Sequence, residues 1–282
     1  MATTKKYLIL ASLVLCFVGS TWWHLRSKSP FNNVLLIINY NFPYYQSIPF
    51  IKTIYKDYFP NIVFYGEKEH PNVHTLYQHY GALSYQVIAD AMQRYPDYEG
   101  YLFCHDDCIM QPWQMLNADT KKIWFAKLMW LHRETGNPGN IELGLQAFPD
   151  WFWWKSEFGS TAMQKAYEQT PEQYKKMLAH NWGASNVVVA YSDIVYIPKQ
   201  YRNDFMTLSG IYYKNKAFLE TALPTIVSCL APKESWHYMQ GHAPDIKNTE
   251  NQYRKDVIFN HPVKLSSFKN RAFIEEQFGK HA

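Results

Sequence analysis

The 282-residue sequence lacks the short motifs of several large enzyme classes. It contains no P-loop, no glycine-rich dinucleotide fingerprint and no nucleophile elbow, which argues against kinases, dinucleotide-dependent enzymes and serine hydrolases. The HExxH and HxH patterns of common metallohydrolases are absent as well. No block of Lys and Arg occurs, and the formal net charge is only +4, so we expect no nucleic-acid partner.

Cysteine is scarce, and an asparagine glycosylation sequon is missing. Beyond Cys16, the body has Cys104, Cys108 and Cys229, an odd number that predicts buried free thiols rather than a disulfide framework. Hydrophobic residues make up 47% and aromatic residues 17% of the chain, far from the composition of a disordered protein. Such a chain is long enough to bury a sizeable core. Its aromatic rings suit either that core or the stacking of sugars.

One long run of uncharged residues, Tyr7 to Trp23, stands near the N-terminus. As a helix it would span about 25 Å, close to the roughly 27 Å of an endoplasmic-reticulum bilayer. We predict a cytoplasmic tail at 1–6, a transmembrane signal anchor at 7–23, a stem at 24–33 and a single catalytic domain at 34–282. This single-pass type II arrangement places the domain in the Golgi or endoplasmic-reticulum lumen. A cleaved signal peptide, cut near the small residues Val18-Gly19-Ser20, is the alternative.

The first part of the body alternates short apolar runs with amphipathic stretches. Continuous apolar runs predict strands buried on both faces of a parallel sheet, and apolar residues at every third or fourth position predict helices. A βαβαβ order places ligands outside the carboxyl ends of the strands. The predicted strands are Val34–Ile38, Ile62–Tyr65 and Tyr101–Cys104, and helices are predicted at Pro49–Tyr58 and within His79–Arg94.

The second half is less regular, and we find no linker that would divide it. A loop is predicted at Arg133–Asn140, and the chain after Ala231 is predicted to be polar and loop-like up to a short helix at Phe273–Phe278. The other predicted elements are a helix at Thr161–Ala179 with a break near Pro171, strands at Asn186–Ala190 and Asp193–Ile197, and a helix at Lys216–Leu230 interrupted at Pro224.

The segment GYLFCHDDC, residues Gly100 to Cys108, carries the clearest chemical signal. Asp106 and Asp107 are adjacent carboxylates at the end of a buried strand, and their mutual repulsion calls for a cation or strong donors. A hard divalent ion, Mn²⁺ or Mg²⁺, meets that need and keeps positions open for phosphate oxygens. The alternative is that the pair merely caps the following segment.

The sequence His105-Asp106-Asp107 at the end of the third predicted strand resembles the DxD motif of GT-A fold glycosyltransferases, with His105 where the first acidic residue usually stands. From Val34 to Trp113, VLLIINYNFPYY followed by GYLFCHDD is similar to the exostosin and STELLO-like group. The resemblance implies an α/β GT-A domain with a mostly parallel central sheet flanked by helices. It also implies metal-dependent transfer of a sugar from a UDP-sugar to a glycan acceptor. A further likeness to xylosyltransferases of large algal viruses implies that the sugar is xylose and that it is transferred with inversion of configuration. For a viral chain, it implies a location at host endomembranes.

The resemblance also implies roles for individual residues. Asp107 would ligate the metal, and a late histidine, His261 in Phe259-Asn260-His261-Pro262, would be a further ligand. A surface histidine is the open alternative for His261, and His237 and His242 are weaker candidates. Asp106 would contact the donor ribose or the ion. The donor-binding group would consist of Asn39, Tyr40, Asn41, His105 and Asp106.

An inverting transferase needs a carboxylate base near the acceptor hydroxyl, and in this family it usually stands at the start of a helix. Glu234 fits best by context, Asp245 comes next and Asp193 third, although for any one of them a solvated surface acid is the commoner identity. A retaining enzyme would need no such base. The cluster Trp151-Phe152-Trp153-Trp154 could stack on acceptor sugars, rest at the membrane or belong to the core.

Two other functions stay open from the sequence. One is a metal-dependent hydrolase that uses the HDD cluster. The other is a membrane-tethered carbohydrate-binding protein that has no catalytic activity. Turnover of a nucleotide sugar distinguishes both from a transferase.

Overall fold

The computed structural model describes residues 29–128 and 136–281. The predicted anchor at Tyr7–Trp23 lies outside these residues. Among the helices that are described, none has the length and apolar character needed to cross a membrane.

The predicted βαβαβ order of the first half is confirmed. The strands are two residues or fewer longer than predicted, because backbone pairing continues into Asn39, Gly66, Gly100 and His105. The elements up to residue 115 are β1 (Val34–Asn39), α1 (Ile48–Tyr55), β2 (Ile62–Gly66), β3 (His74–Thr75), α2 (Tyr85–Arg94), β4 (Gly100–His105) and β5 (Ile109–Met110).

The second half contains more regular structure than its sequence pattern indicates. The break near Pro171 is confirmed, since two helices meet there. The elements are β6 (Trp124–Leu128), β7 (Asn137–Asn140), α3 (Ser160–Gln169), α4 (Glu172–Trp182), β8 (Asn186–Val189), β9 (Ile194–Pro198), α5 (Arg202–Lys214), α6 (Leu219–Ser228), β10 (His237–His242), α7 (Thr249–Gln252), β11 (Phe259–Asn260) and α8 (Phe268–Gly279).

Nine strands form one mixed sheet in the order β3-β2-β1-β4-β9-β6-β10-β11-β5. Strands β3, β2, β1 and β4 are parallel neighbours, and so are β6, β10 and β11. Strand β9 runs antiparallel between β4 and β6, and β5 runs antiparallel to β11. The predicted mostly parallel α/β sheet is therefore confirmed. The carboxyl ends of seven strands meet at one edge.

Side chains of the central strands alternate between two buried clusters, one on each face of the sheet. In β1, Leu35 and Ile37 pack on the face covered by α2, α5 and α6, whereas Leu36 and Ile38 pack on the face covered by α1 and α8. This two-sided burial explains why the β1 sequence VLLIIN is continuously apolar. Cys104, Cys108 and Cys229 are buried free thiols, as predicted.

Three predictions for the second half are wrong. Residues Asn137–Asn140, predicted as loop, pair with β8 in a separate two-stranded sheet. The chain after Ala231 is not simply polar loop, because β10 inserts between β6 and β11 through backbone pairing that its mixed sequence HYMQGH does not reveal. Pro224 does not interrupt α6, which continues through it as a nearly fully buried helix.

The helix predicted within His79–Arg94 begins only at Tyr85. His79, Tyr80 and Gly81 have positive φ angles of 48°, 54° and 92°, which are incompatible with a right-handed helix. A Cβ on Gly81 would lie 2.1 Å from Oδ1 of Asn41, so this turn needs glycine both for its φ angle and for its close approach to the loop after β1.

Candidate functional site

Polar side chains from four strands meet at the carboxyl edge of the sheet. Asn39 ends β1 and pairs with His105, which ends β4. Asp193 precedes the antiparallel strand β9, so it lies at the same edge, and its backbone carbonyl accepts a hydrogen bond from the His105 amide. His261 directly follows β11. The sheet topology therefore brings together residues that are up to 222 positions apart in sequence (261 − 39 = 222).

His105 is buried, and its two ring nitrogens contact different neighbours. Its Nδ1 lies 2.8 Å from Oδ1 of Asp193, and its Nε2 lies 3.1 Å from the hydroxyl of Ser84. Because a carboxylate only accepts, the Nδ1 proton is donated to Asp193. His105 thereby fixes the orientation of Asp193, and it also lines the cavity described below.

Asp107 lies at the centre of an ion-pair cluster. Its Oδ1 is 3.1 Å from Nε2 of His261, and its Oδ2 accepts a hydrogen bond from Nζ of Lys264. Nε2 of His261 also lies 3.7 Å from Oδ1 of Asp193. Two carboxylates and one imidazole thus converge, and Lys264 adds a second positive charge.

Backbone hydrogen bonds hold the C-terminal segment against this cluster. The Val263 amide donates to the Asp107 carbonyl at 2.7 Å, and the His261 amide donates to the His242 carbonyl at 2.9 Å. The antiparallel pairing of Asn260 with Ile109 fixes the same register. The position of His261 beside Asp107 is therefore set by the sheet rather than by a mobile surface loop.

The pKa shifts in the cluster follow from burial and charge. Burial alone would raise the pKa values of Asp107 and Asp193, but for each of them His261 is the strongest opposing influence, and it holds both pKa values below their ordinary range. Burial alone would lower the pKa of His261, and the two carboxylates outweigh it and raise that pKa. Burial, and then the charge of Asp107, raise the pKa of Asp106 well above its ordinary value.

The donor atoms at this edge have the right chemistry for a hard divalent ion. Carboxylate oxygens and an imidazole nitrogen suit Mn²⁺, and the carboxylates of Asp107 and Asp193 both face His261. Within residues 29–128 and 136–281, however, no three His, Cys, Asp or Glu side chains adopt a geometry that could hold a metal. The ion pairs of Asp107 with His261 and Lys264 neutralise the charge that a metal would otherwise balance.

A cavity of about 260 Å³ opens beside His105 and Asp193. Asn41 and the left-handed turn at His79–Gly81 form one side, and Glu220 at the start of α6 forms another. Tyr80 also lines the cavity, and the exposed ring of Phe42 lies 5.8 Å from that of Tyr80. Two aromatic faces near a polar cavity suit a nucleobase.

Of the donor-binding residues expected after β1, one lines the smaller cavity and two are buried. Asn41 lines the cavity. Asn39 is fully buried and donates to Oδ1 of Asn41 at 3.1 Å, so it supports Asn41 from behind. Tyr40 is 1% exposed and its hydroxyl pairs with Ser47, which makes it a core residue. Asp106 is held at the strand end by a hydrogen bond from its amide to the Asn39 carbonyl.

A second, larger cavity of about 590 Å³ adjoins the first, and Trp153 and Glu220 line both. Its wall also includes Phe148, Trp151 and Tyr191. The Trp151–Trp154 cluster has mixed roles, since Trp151 and Trp153 face the cavities while Trp154 is fully buried. The larger cavity thus offers aromatic faces and polar groups together.

The carboxylates expected as bases do not all reach this edge. Glu234 is exposed and precedes β10, at the opposite edge of the sheet, and His237 begins that strand. Asp245 follows β10 in an exposed position, where it caps the backbone amide of Lys247. Of the three candidates, only Asp193 belongs to the cluster. His242 ends β10 at the site edge and holds His261 through its carbonyl.

Glu220 is the site carboxylate that the sequence analysis missed. Burial, and then the charge of Asp193, raise the pKa of Glu220 to about 8. A signal for it existed, because Glu220 stands at the start of a predicted helix, the position where the resemblance places a base. Nothing in the sequence alone indicated that this helix start faces the HDD edge.

Sequence comparison places this chain near one group of plant proteins. No family model matches the chain. It is 24% identical over 206 residues to "Probable glycosyltransferase STELLO1" of Arabidopsis thaliana and 21% identical over 200 residues to STELLO2 of the same plant. The chain is similar to the STELLO glycosyltransferases. This confirms the predicted resemblance. Each match covers 71% of this chain and 25% of the relative, so the chain spans about a quarter of the length of these STELLO proteins.

Two solved structures show weaker likeness. One is a glycosyltransferase involved in the glycosylation of the major capsid of PBCV-1, with 12% identity, a TM-score of 0.40 and coverage of 88% of this chain and 98% of that chain. The other is the mannosyltransferase Ktr4p from S. cerevisiae in complex with GDP, with 10% identity, a TM-score of 0.35 and coverage of 74% and 70%. With both scores below 0.5, the fold assignment rests on this chain's own topology. The likeness to viral xylosyltransferases stays a prediction.

Proposed function

We propose that this chain is a GT-A-type glycosyltransferase that moves a sugar from a nucleotide diphosphate to a hydroxyl of a glycan. The observation that carries the proposal is the meeting of Asp107, Asp193 and His261 at the carboxyl edge of a mostly parallel sheet, beside two adjoining cavities. Ligands of open α/β sheets bind at this edge. The similarity to STELLO glycosyltransferases supports the same function.

In this proposal the donor occupies the smaller cavity. The nucleobase stacks on the exposed rings of Phe42 and Tyr80, which lie 5.8 Å apart. Asn41 and the turn at Gly81 face the ribose and diphosphate. The family resemblance assigns Asp106 a contact with a ribose hydroxyl. Uridine is the nucleotide and xylose the sugar, transferred with inversion, as the family resemblance implies.

A divalent ion, Mn²⁺ or Mg²⁺, is part of the proposal, held by Asp107 and His261 with Asp193 beside them. When bound, it would neutralise charge on the diphosphate leaving group. Its binding requires Nε2 of His261 to be unprotonated and Lys264 to leave Oδ2 of Asp107. His105 keeps Asp193 oriented throughout, through the 2.8 Å hydrogen bond. The Lys264 ammonium, once away from Asp107, would be available to pair with a phosphate oxygen.

We also propose that the chain is anchored in a membrane. An anchor at residues 7–23 would tether the domain to a Golgi or endoplasmic-reticulum membrane, and the acceptor would be a glycan in the lumen or, for a viral chain, at host endomembranes.

The test offers the purified full-length chain a panel of UDP-sugars and GDP-sugars with Mn²⁺, with and without glycan acceptors. We expect nucleotide diphosphate to be released from one donor, to need an acceptor for full rate and to stop when EDTA removes the metal. Mn²⁺ binding is measured separately by electron paramagnetic resonance of the free ion. Metal-dependent cleavage of simple phosphate esters without donor turnover would instead indicate a hydrolase. Glycan binding with no turnover of any donor would indicate a binding protein.

A further inference from the structure

Glu220 occupies the junction of the two cavities. It lines both of them, together with Trp153, and it lies in the first turn of α6. The α6 backbone is fixed there, because the Glu220 carbonyl accepts a hydrogen bond from the Ala190 amide at 3.0 Å. The carboxylate is therefore held between the proposed donor cavity and the larger neighbouring cavity.

Two buried polar atoms at this junction lack hydrogen-bond partners among the residues that the structure describes. They are Oε2 of Glu220 and the hydroxyl of Tyr191. Both residues line the larger cavity. A buried polar atom without a partner destabilises the folded protein unless a ligand or water satisfies it. The two atoms thus mark a place for a polar ligand.

The rest of the larger cavity matches the chemistry of a sugar. Phe148, Trp151 and Trp153 supply aromatic faces, against which the C–H face of a pyranose packs. Lys127, Asn137 and Asp150 add groups that can pair with hydroxyls. Flat aromatic surfaces interspersed with donors and acceptors suit a carbohydrate better than a purely apolar ligand.

We propose that the larger cavity binds the acceptor sugar and that Glu220 is the catalytic base that takes the proton from its reacting hydroxyl. The inference rests on the proposed function. The hydroxyl oxygen forms a bond to the anomeric carbon of the donor, whose bond to the phosphate oxygen breaks. The bonding electrons leave with the nucleotide diphosphate. The hydroxyl proton passes to the Glu220 carboxylate, so atoms and charges balance.

Asp193 is the other carboxylate beside the cavities, but its geometry suits a different role. Its Oδ1 already accepts from His105 and lies 3.7 Å from His261. Glu220 has a free oxygen, and it alone of the two also lines the larger cavity. Glu220 rather than Asp193 is therefore placed to meet an acceptor.

The experiment compares the wild-type full-length chain with Glu220→Gln, using the donor and acceptor found active for the wild type. Loss of the base is expected to lower kcat by about 100- to 10,000-fold. The donor KM and the Kd of UDP, measured by calorimetry, are expected to change by less than about twofold, because the variant keeps the shape of the donor cavity. Glu172→Gln is the matched control, since Glu172 is an exposed acid in the first turn of α4. It should keep wild-type kcat.

Two further variants separate a chemical role from a structural one. Formate is expected to restore part of the activity of Glu220→Ala, because a small carboxylate can enter the space left by the side chain. Trp151→Ala is expected to raise the acceptor KM while the Kd of UDP stays constant, since Trp151 lines only the larger cavity.

The inference is overturned if Glu220→Gln transfers sugar at the wild-type rate, or if it loses UDP binding, which would assign Glu220 to the donor site. A folded wild-type chain that turns over no donor would be a different failure, because it would remove the proposed function itself.

Discussion

Asp107→Asn is expected to lower the rate of glycosyl transfer by about 1,000-fold or more. The substitution keeps the shape of the side chain but removes the charge that pairs with His261 and Lys264. It therefore removes the carboxylate at the centre of the proposed metal and diphosphate site. Initial rates of product formation, measured by mass spectrometry at saturating donor, give the comparison.

The control for this loss is Asp256→Asn. Asp256 also forms an ion pair, with Arg254, but that pair lies at the exposed surface. Its removal should leave transfer unchanged. Near-ultraviolet circular dichroism of both variants checks that the tertiary structure is retained. A folded Asp107→Asn variant with a rate near that of the wild type would show that the reaction does not take place at this edge.

Glu220→Gln is expected to change how the stability of the metal-free chain depends on pH. The carboxyl has an ordinary pKa of 4.5 and a folded-state pKa of about 8. Between these values the unfolded chain releases the proton and the folded chain keeps it, so raising the pH favours unfolding. At roughly 1.4 kcal/mol per pKa unit, Glu220 should account for about 2 to 5 kcal/mol of lost stability by pH 8.

Urea unfolding in EDTA, repeated from about pH 5 to pH 8, measures this effect. The raised pKa values of Asp106 and His261 act in the same direction, but both groups stay in the variant, so the difference between the two curves isolates Glu220. The variant curve should fall less steeply than the wild-type curve, and a Glu172→Gln curve should parallel the wild type. Parallel curves for wild type and Glu220→Gln would contradict a desolvated Glu220.

The strands of the first half could be predicted because burial on both faces leaves a direct trace in sequence. VLLIIN and GYLFCH are apolar at nearly every position, as a central parallel strand must be. Strand β10, HYMQGH, has no such pattern. Its side chains are only partly buried, so its place in the sheet depends on backbone pairing with β6 and β11, which composition does not encode.

The site was predictable only where its residues follow a buried strand. Asp107 and His105 directly follow the apolar run of β4, and both lie in the cluster. Glu220 instead depends on how α6 packs, a long-range property. Glu234 resembled Glu220 in local context, but the direction of β10 places it at the far edge. The direction of β10 therefore excludes Glu234 from the site, whereas the packing of α6 places Glu220 there, and a single sequence reveals neither.

Lys264 is a second site residue that could not be predicted from the sequence. Its sequence context, HPVKLSS, has no feature of a functional site. Only the backbone hydrogen bond from Val263 to the Asp107 carbonyl carries Lys264 to the carboxylate. A contact between residues 157 positions apart follows from the pairing of β11 with β5, which the sequence analysis did not anticipate.

The most direct test of the central claim is a crystal structure of the chain with Mn²⁺ and UDP. We expect anomalous density for manganese between Asp107 and His261, the diphosphate beside it, and the uracil ring against Phe42 and Tyr80. Lys264 should have left the Asp107 carboxylate. Nucleotide or manganese bound elsewhere, with the ion pairs of Asp107 intact, would contradict a glycosyltransferase site at this edge of the sheet.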